Sequence, residues 1–161
     1  MKKNKIISLM LLVACMILIF MFSAQNGNIS GELSEGITYK IARFIINDFE
    51  NFSVKKQTEI VHGMHFYIRK AAHFSIYALL GFLAYINAQF YIKTKKKAII
   101  TSLIFCLLYA VSDEVHQLFS DGRCGSPVDV TIDFSGSFVG TMISFILLSA
   151  ILPFIKKKSK K

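Results

Sequence analysis

At 161 residues the chain has the length of one domain, yet 53% of it is apolar and its mean hydropathy is +0.50, too high for a water-soluble globule of that size. The formal charge of +9 would suit nucleic acid, but the basic residues flank greasy segments instead of alternating with exposed aromatics, so that partner class is excluded. The three cysteines offer no disulfide framework, since Cys15 and Cys106 lie in apolar runs and Cys124 stands alone in a polar loop.

Lys2, Lys3 and Lys5 precede an apolar run from Ile6 to Phe22, which Ser23 and Ala24 extend toward the ~20 residues of a membrane span. The bulky ring in Phe22-Ser23-Ala24 spoils the small-residue pattern of a signal-peptide cleavage site, so the span is expected to be retained. From Asn26 to Phe66 the chain turns polar. Leu33, Ile37, Ile41, Phe44 and Ile45 recur there at the spacing of one helical face, predicting an amphipathic helix lying on the bilayer, packed across the bundle or in a small extramembrane cap. Asp48 to Phe52 makes a break, and Ser53 caps a second helix from Val54 with Ile60, Val61 and Met64 on one side. His62 and His65 fall in this region and are expected as surface or interfacial histidines rather than ligands.

The second span runs over 71–92, entered by Arg69, Lys70, His73 and Tyr77. Arg69, His73 and Tyr77 are four residues apart and share a helix face. Lys93 and Lys95 to Lys97 form a basic turn. The uncharged stretch from Ala98 to Val111 is too short to cross ~30 Å of hydrocarbon, so the third span is extended to Phe119 and carries Asp113, Glu114, His116 and Gln117 in its outer turns. Gly122, Gly125 and Pro127 break the helix. The fourth span covers 130–155, with Asp129 placed to cap it, Asp133 a turn deeper, and Gly136 and Gly140 as a small-xxx-small pair for close helix contact.

The predicted architecture is all-α: one domain over 1–161, a polytopic membrane protein with spans at 6–24, 71–92, 98–119 and 130–155. One or two amphipathic helices occupy the outer loop between the first and second spans. Both termini then share a side with the Lys93–Lys97 turn, a side with lysines and no acid, while all ten acidic residues lie opposite. The positive-inside rule puts the termini in the cytoplasm and the polar cluster outside.

Ionisable groups at membrane depth are expensive and mark sites. The candidate ligand-binding set is Arg69, Lys70, His73, Tyr77, Asp113, Glu114, His116, Gln117, Arg123, Asp129 and Asp133, and His73, Asp113, Glu114, His116 and Asp133 are also the candidates for acid/base catalysis. Asp113 shares a helix face with His116 or Gln117, whereas Glu114 is rotated about 100° from it. No metal or other cofactor is expected, because Glu114-Val115-His116 is not a His-Glu-x-x-His pair and no Cys-x-x-Cys accompanies it. Ser112 lacks the glycines of a nucleophile elbow. The same charges can instead form an ion-pair lock between helices, with Arg69, Lys70 and Arg123 against the carboxylates, or the cations can meet a phosphate or carboxylate on a lipid or cell-wall precursor.

Phe22-Ser23-Ala24-Gln25 follows the first span, and Arg69-Lys70-Ala71-Ala72-His73-Phe74 with Tyr77 enters the second. Ser112-Asp113-Glu114-x-His116-Gln117-x-Phe119 with Gly122-Arg123 closes the third, and Asp129-Val130-x-Ile132-Asp133 with Gly136 and Gly140 opens the fourth. In this combination, over nearly its whole length, the chain resembles the VanZ family. It departs at Ser120-Asp121, where the family usually carries a Pro or small residue before Gly-Arg. The resemblance implies a small multi-span bacterial membrane protein, of a family associated with low-level resistance to the lipoglycopeptide teicoplanin through no established biochemical activity. The expectation is therefore an envelope protein altering antibiotic access to surface targets, with membrane lipid, a lipid-linked cell-wall precursor or a lipoglycopeptide as partner. The enzymatic alternative is a membrane hydrolase or transferase acting on a lipid-linked phosphate or cell-wall precursor. A transporter would need polar residues along the whole crossing, and the inner halves of the spans are nearly bare of charge.

Overall fold

The structure, a computed structural model, describes the backbone of residues 2–123 and 125–158 and the side chains as far as residue 150. Cys124 and the side chains of the lysine tail, both considered above, lie outside the described residues. Every regular element described is helical: α1 (Lys2–Ser23), α2 (Gly27–Ile45), a short 3-10 turn at Phe49–Asn51, α3 (Val54–Gln89), α4 (Lys95–Gln117) and α5 (Pro127–Lys158). Among the described residues α1, α3, α4 and α5 are the four helices long and apolar enough to cross a membrane.

Burial is inverted relative to a water-soluble protein. Ile6, Met10, Phe20, Ile104, Leu108, Phe138 and Ile146 are exposed, whereas Ser102, Ser137, Thr141, Ser144, Asp113, Glu114 and Asp133 are buried. A solvent of lipid tails accounts for both halves of that pattern, because outward apolar surface costs nothing there and polar groups must find partners inside.

α3 and α5 form the spine of the bundle, and small residues set their separation. A Cβ added at Gly136 would lie 2.2 Å from the Phe74 carbonyl oxygen, one at Gly140 1.8 Å from that of Ala78, and one at Gly81 2.1 Å from that of Ser137. The backbones therefore touch. The Ser137 hydroxyl donates to the Tyr77 carbonyl at 3.2 Å and Thr141 to the Gly81 carbonyl at 3.2 Å, so the polar groups on the seam bond across it. Close backbone approach of this kind drives helix association where the hydrophobic effect cannot. The small-xxx-small pair read from the sequence thus packs as expected, while Gly81, its counterpart on α3, was not anticipated.

Element boundaries differ in three informative ways. The helix expected to start at Val54 does not end before the second span but continues as α3 to Gln89, since nothing between them is a stronger breaker than Gly63. α4 starts at Lys95 and stops at Gln117 rather than Phe119, because the Leu118 amide bonds back to the Val115 carbonyl at 3.2 Å, which tightens the last turn. The segment between α1 and α3 holds a helix, α2. Its Ile29, Leu33, Ile37 and Phe44 stay exposed, and its inner side holds buried Thr38 and Ala42.

Two ends of the bundle are distinguishable. Lys5 lies over the Tyr91 ring, Asn87 bonds Ser8 and Lys95 bonds Ser149, which gathers the N-terminus, the α3–α4 turn and the C-terminal half of α5 at one end. At the other end Gly27 donates to the Asp121 carbonyl at 2.9 Å, and Arg123 reaches the carbonyl of Phe22. The polar cluster sits there.

Candidate functional site

α3 presents Arg69, His73 and Tyr77 along one face, as the four-residue spacing requires, and all three line a cavity of ≈ 460 Å³ between α1, α2 and α3. Its walls are apolar, formed by Ile19 and Phe22 of α1, Leu33 and Ile37 of α2, and Ile68 and Ile76 of α3. Its polar end holds Arg69, His73, Tyr77, Asp113 and Arg123. Of the positions left open for α2 at the sequence level, on the bilayer, across the bundle or in a cap, the structure shows it packed against α3 with Leu33 and Ile37 lining the cavity. α2 is tied to α3 by the Ser34 hydroxyl and His65 Nε2, 2.8 Å apart, so His65 is a fastener between helices rather than a free surface residue.

Lys70, one position round from Arg69, points to α5 and pairs with Asp129. Asp129 lies in the first turn of α5, where a carboxylate also suits the helix dipole, so the pair fixes the entry of α5 against α3. One turn deeper, Asp133 is fully buried, and its Oδ1 lies 3.4 Å from His73 Nδ1, close enough for attraction but without an aligned hydrogen bond. Both Asp133 oxygens are left without a hydrogen-bond donor among the described residues.

α4 supplies Asp113, Glu114 and Gln117, all buried. Gln117 Nε2 donates to Glu114 Oε1 at 3.1 Å and to Asp113 Oδ2 at 3.4 Å, and the Ser126 amide donates to Glu114 Oε2 at 2.7 Å. The 100° between Asp113 and Glu114 therefore does not separate them: both turn inward, on either side of Gln117. Oxygens of Asp113, Glu114 and Asp133 all lie within 4.8 Å of one another, a geometry able to hold a cation. His116 turns the other way and lies against Phe20 of α1 in a tilted pair, ring centroids 4.6 Å apart, outside this group.

Arg123 closes the site from the α4–α5 loop. Its Nη2 donates to the Phe22 carbonyl at 3.0 Å and its Nη1 to Gln117 Oε1 at 3.4 Å. Burial and the neighbouring Arg69 guanidinium both pull Arg123 below its ordinary pKa. Two like charges near each other in a partly dry place disfavour one another, and an anion between them would relieve that repulsion. The loop takes this shape because Gly122 adopts φ +73°, and Gly27 leaves room beneath it, where a Cβ would lie 2.3 Å from the Gly122 carbonyl oxygen.

The structure thus gathers Arg69, His73, Tyr77, Asp113, Glu114, Gln117, Arg123 and Asp133 at one end of the bundle, with Lys70 and Asp129 paired beside them and His116 set apart. The participants that sequence reasoning missed are backbone groups, the Ser126 amide and the Phe22 carbonyl. No residue-type signal marks these, although Phe22 belongs to the Phe-Ser-Ala-Gln motif. A family model described as VanZ/LLP1 matches residues 8–148, which includes every one of these groups. Comparison with curated proteins and with solved structures gives no match.

Proposed function

The chain belongs to the VanZ/LLP1 family, and from that premise we propose that it binds the anionic headgroup of a membrane amphiphile at the outer face of the cell membrane and thereby contributes to low-level teicoplanin resistance. The observation that carries this reading is the cavity itself. Long apolar walls from three helices end in two guanidinium groups, a shape that takes an acyl or prenyl chain along Ile19, Leu33, Ile37 and Ile76 and a phosphate or carboxylate at Arg69 and Arg123. Arginine's fork matches such oxyanions, and Arg69 has no hydrogen-bond or ion-pair partner among the described residues, so its charge is available. Membrane lipid or a lipid-linked cell-wall precursor held there changes how a lipoglycopeptide reaches its target. The outward direction of the site rests on the lysine asymmetry of the sequence.

Native mass spectrometry of the purified chain with lipid extract tests the binding step. An anionic lipid retained by the chain and lost in R69A supports it, and a chain that retains none removes the basis of the proposal. Expression in a sensitive host tests the phenotype, where unchanged teicoplanin susceptibility ends the resistance part.

A second reading, a hydrolase or transferase acting on a lipid-linked phosphate, is favoured by His73 and the carboxylates standing beside the two arginines. In that reading His73 exchanges the proton and the arginines stabilise the developing charge on the phosphoryl oxygens. Release of phosphate from a lipid pyrophosphate, abolished in H73A with folding retained, distinguishes it from binding alone.

A further inference from the structure

Asp113, Glu114 and Asp133 come from two helices, are each at most 5% exposed, and bring oxygens within 4.8 Å of one another. Of the cations nearby, Lys70 is paired with Asp129 and Arg123 is directed to the Phe22 carbonyl and the Gln117 amide oxygen, while Arg69 lines the cavity with no ion-pair to these carboxylates among the described residues. Glu114 has two donors, Ser126 N–H and Gln117, and Asp113 has a long contact to Gln117, but Asp133 has none, with only the His73 ring nitrogen at 3.4 Å. A second, separate group points the same way. The Tyr77 hydroxyl is fully buried, makes no hydrogen bond of normal geometry, and lies beside Asp113 and Asp133, with Asp113 its nearest polar neighbour. A buried phenol left idle beside three carboxylates has room for something between them.

We infer that Asp113, Glu114 and Asp133 form a binding site for one hard divalent cation of the Mg²⁺, Mn²⁺ or Ca²⁺ class, with the Tyr77 hydroxyl as a neutral oxygen beside it. Oxygens on opposite sides of such an ion, at metal–oxygen distances of about 2.1–2.4 Å, stand roughly 4.2–4.8 Å apart, so three oxygens all within that separation fit around one centre. The donor set contains oxygen only, which selects hard cations over thiolate- or imidazole-preferring metals. Asp113 also lines the cavity, which gives the ion a route in and leaves part of its coordination sphere open to water. The site stands whether or not an amphiphile occupies the cavity.

The test uses the full chain, purified in detergent, stripped with EDTA and titrated with Mn²⁺ followed by electron paramagnetic resonance. The expected result is saturable uptake of one Mn²⁺ per chain, displaced by excess Mg²⁺ or Ca²⁺, with affinity lowered at least tenfold in D133N and in D113N and unchanged in E59Q, which alters an exposed acid on α3 far from the cluster. Should either Asn variant fail to fold, Y77F removes only the idle hydroxyl and is expected to weaken Mn²⁺ several-fold. An intact wild-type chain that takes up no stoichiometric Mn²⁺ overturns the inference, because protons alone then hold the carboxylates together. Uptake equal to wild type in the folded variants overturns it as well, by placing the ion elsewhere.

Discussion

The packing of α3 on α5 makes a sharp prediction at Gly140. In G140A the new methyl starts 1.8 Å from the Ala78 carbonyl oxygen, against the 3.4 Å at which contact becomes ordinary, so the two backbones must part locally by the 1.6 Å difference. Neither neighbour can yield by rotating, since the obstacle is main chain. Overpacking of this kind costs about 1–3 kcal/mol. The parting also stretches the bond from Thr141 to the Gly81 carbonyl and strains that from Ser137 to Tyr77, interhelical hydrogen bonds worth about 0.6 kcal/mol each in membrane proteins. The expected loss is about 2–4 kcal/mol. G63A is the control, because nothing lies within 4 Å of a Cβ there and replacing a mid-helix glycine on the same α3 should stabilise by about 0.5–1 kcal/mol. Reversible unfolding in mixed micelles, or steric trapping in bicelles, measures both. If G140A costs less than about 0.5 kcal/mol, or moves in the same direction as G63A, the backbone seam is not what holds this bundle.

Tyr109 donates to the Met16 carbonyl at 2.7 Å, joining α4 to α1, so Y109F is expected to destabilise by about 1 kcal/mol in the same unfolding assay. K70M leaves Asp129 in the first turn of α5 without its cation; both side chains are partly solvated, so the expected cost is about 1–2 kcal/mol, reduced in high salt. Replacing Asp121 by cysteine in a chain with Cys124 changed to serine should allow labelling by a membrane-impermeant maleimide in intact cells, whereas cysteine at Lys93 should label only after permeabilisation; the reverse pattern would invert the orientation. R69A and R123A should each weaken retention of an anionic lipid about tenfold or more, with R123A also lowering stability because the Phe22 carbonyl loses its donor.

The helices that cross the membrane were legible because their signal is length and apolarity, which survive any packing arrangement. The clustering of ionisable residues was legible for a related reason: charge next to long apolar runs is rare enough to be read without knowing what it contacts. How the helices pack was less visible, although a trace of it is present. In α1 the buried residues are Ser8, Leu12, Cys15, Ile19 and Ser23, and in α4 they are Ala98, Ser102, Cys106, Ala110, Asp113, Glu114 and Gln117. Within these apolar helices the small and weakly polar residues, Ser8, Cys15 and Ser23 in α1 and Ala98, Ser102, Cys106 and Ala110 in α4, fall on the packed face, a marker that soluble helices do not carry. Reading 6–22 as apolar except for Ser8 caught one residue of that face in α1 and lost the rest. The fusion of the predicted second outer helix with α3 was hidden because an amphipathic stretch and a span can share one unbroken helix. Gly63 carries too small a penalty to end it. The roles of the Ser126 amide and the Phe22 carbonyl depend on loop conformation, set by Gly122 at positive φ against Gly27, and side-chain patterns do not encode it.

The seam and the site are one design problem. Two carboxylates 4.8 Å apart repel by about 3–4 kcal/mol at the effective dielectric that suits partly buried pairs, and three of them do so in each pairing. Left to themselves, α4 and α5 would relax by separating their outer ends. α5 cannot do so, because Gly136 and Gly140 lock it to Phe74 and Ala78 of α3 within one to two turns of Asp133, and Lys70 holds Asp129 at its start. α4 is held in turn by Arg123, whose guanidinium bridges Gln117 to the Phe22 carbonyl of α1. The rigidity of the glycine seam is therefore what keeps repelling groups within reach of a common ligand. Substitutions there that still permit insertion should weaken that ligand before they abolish the fold.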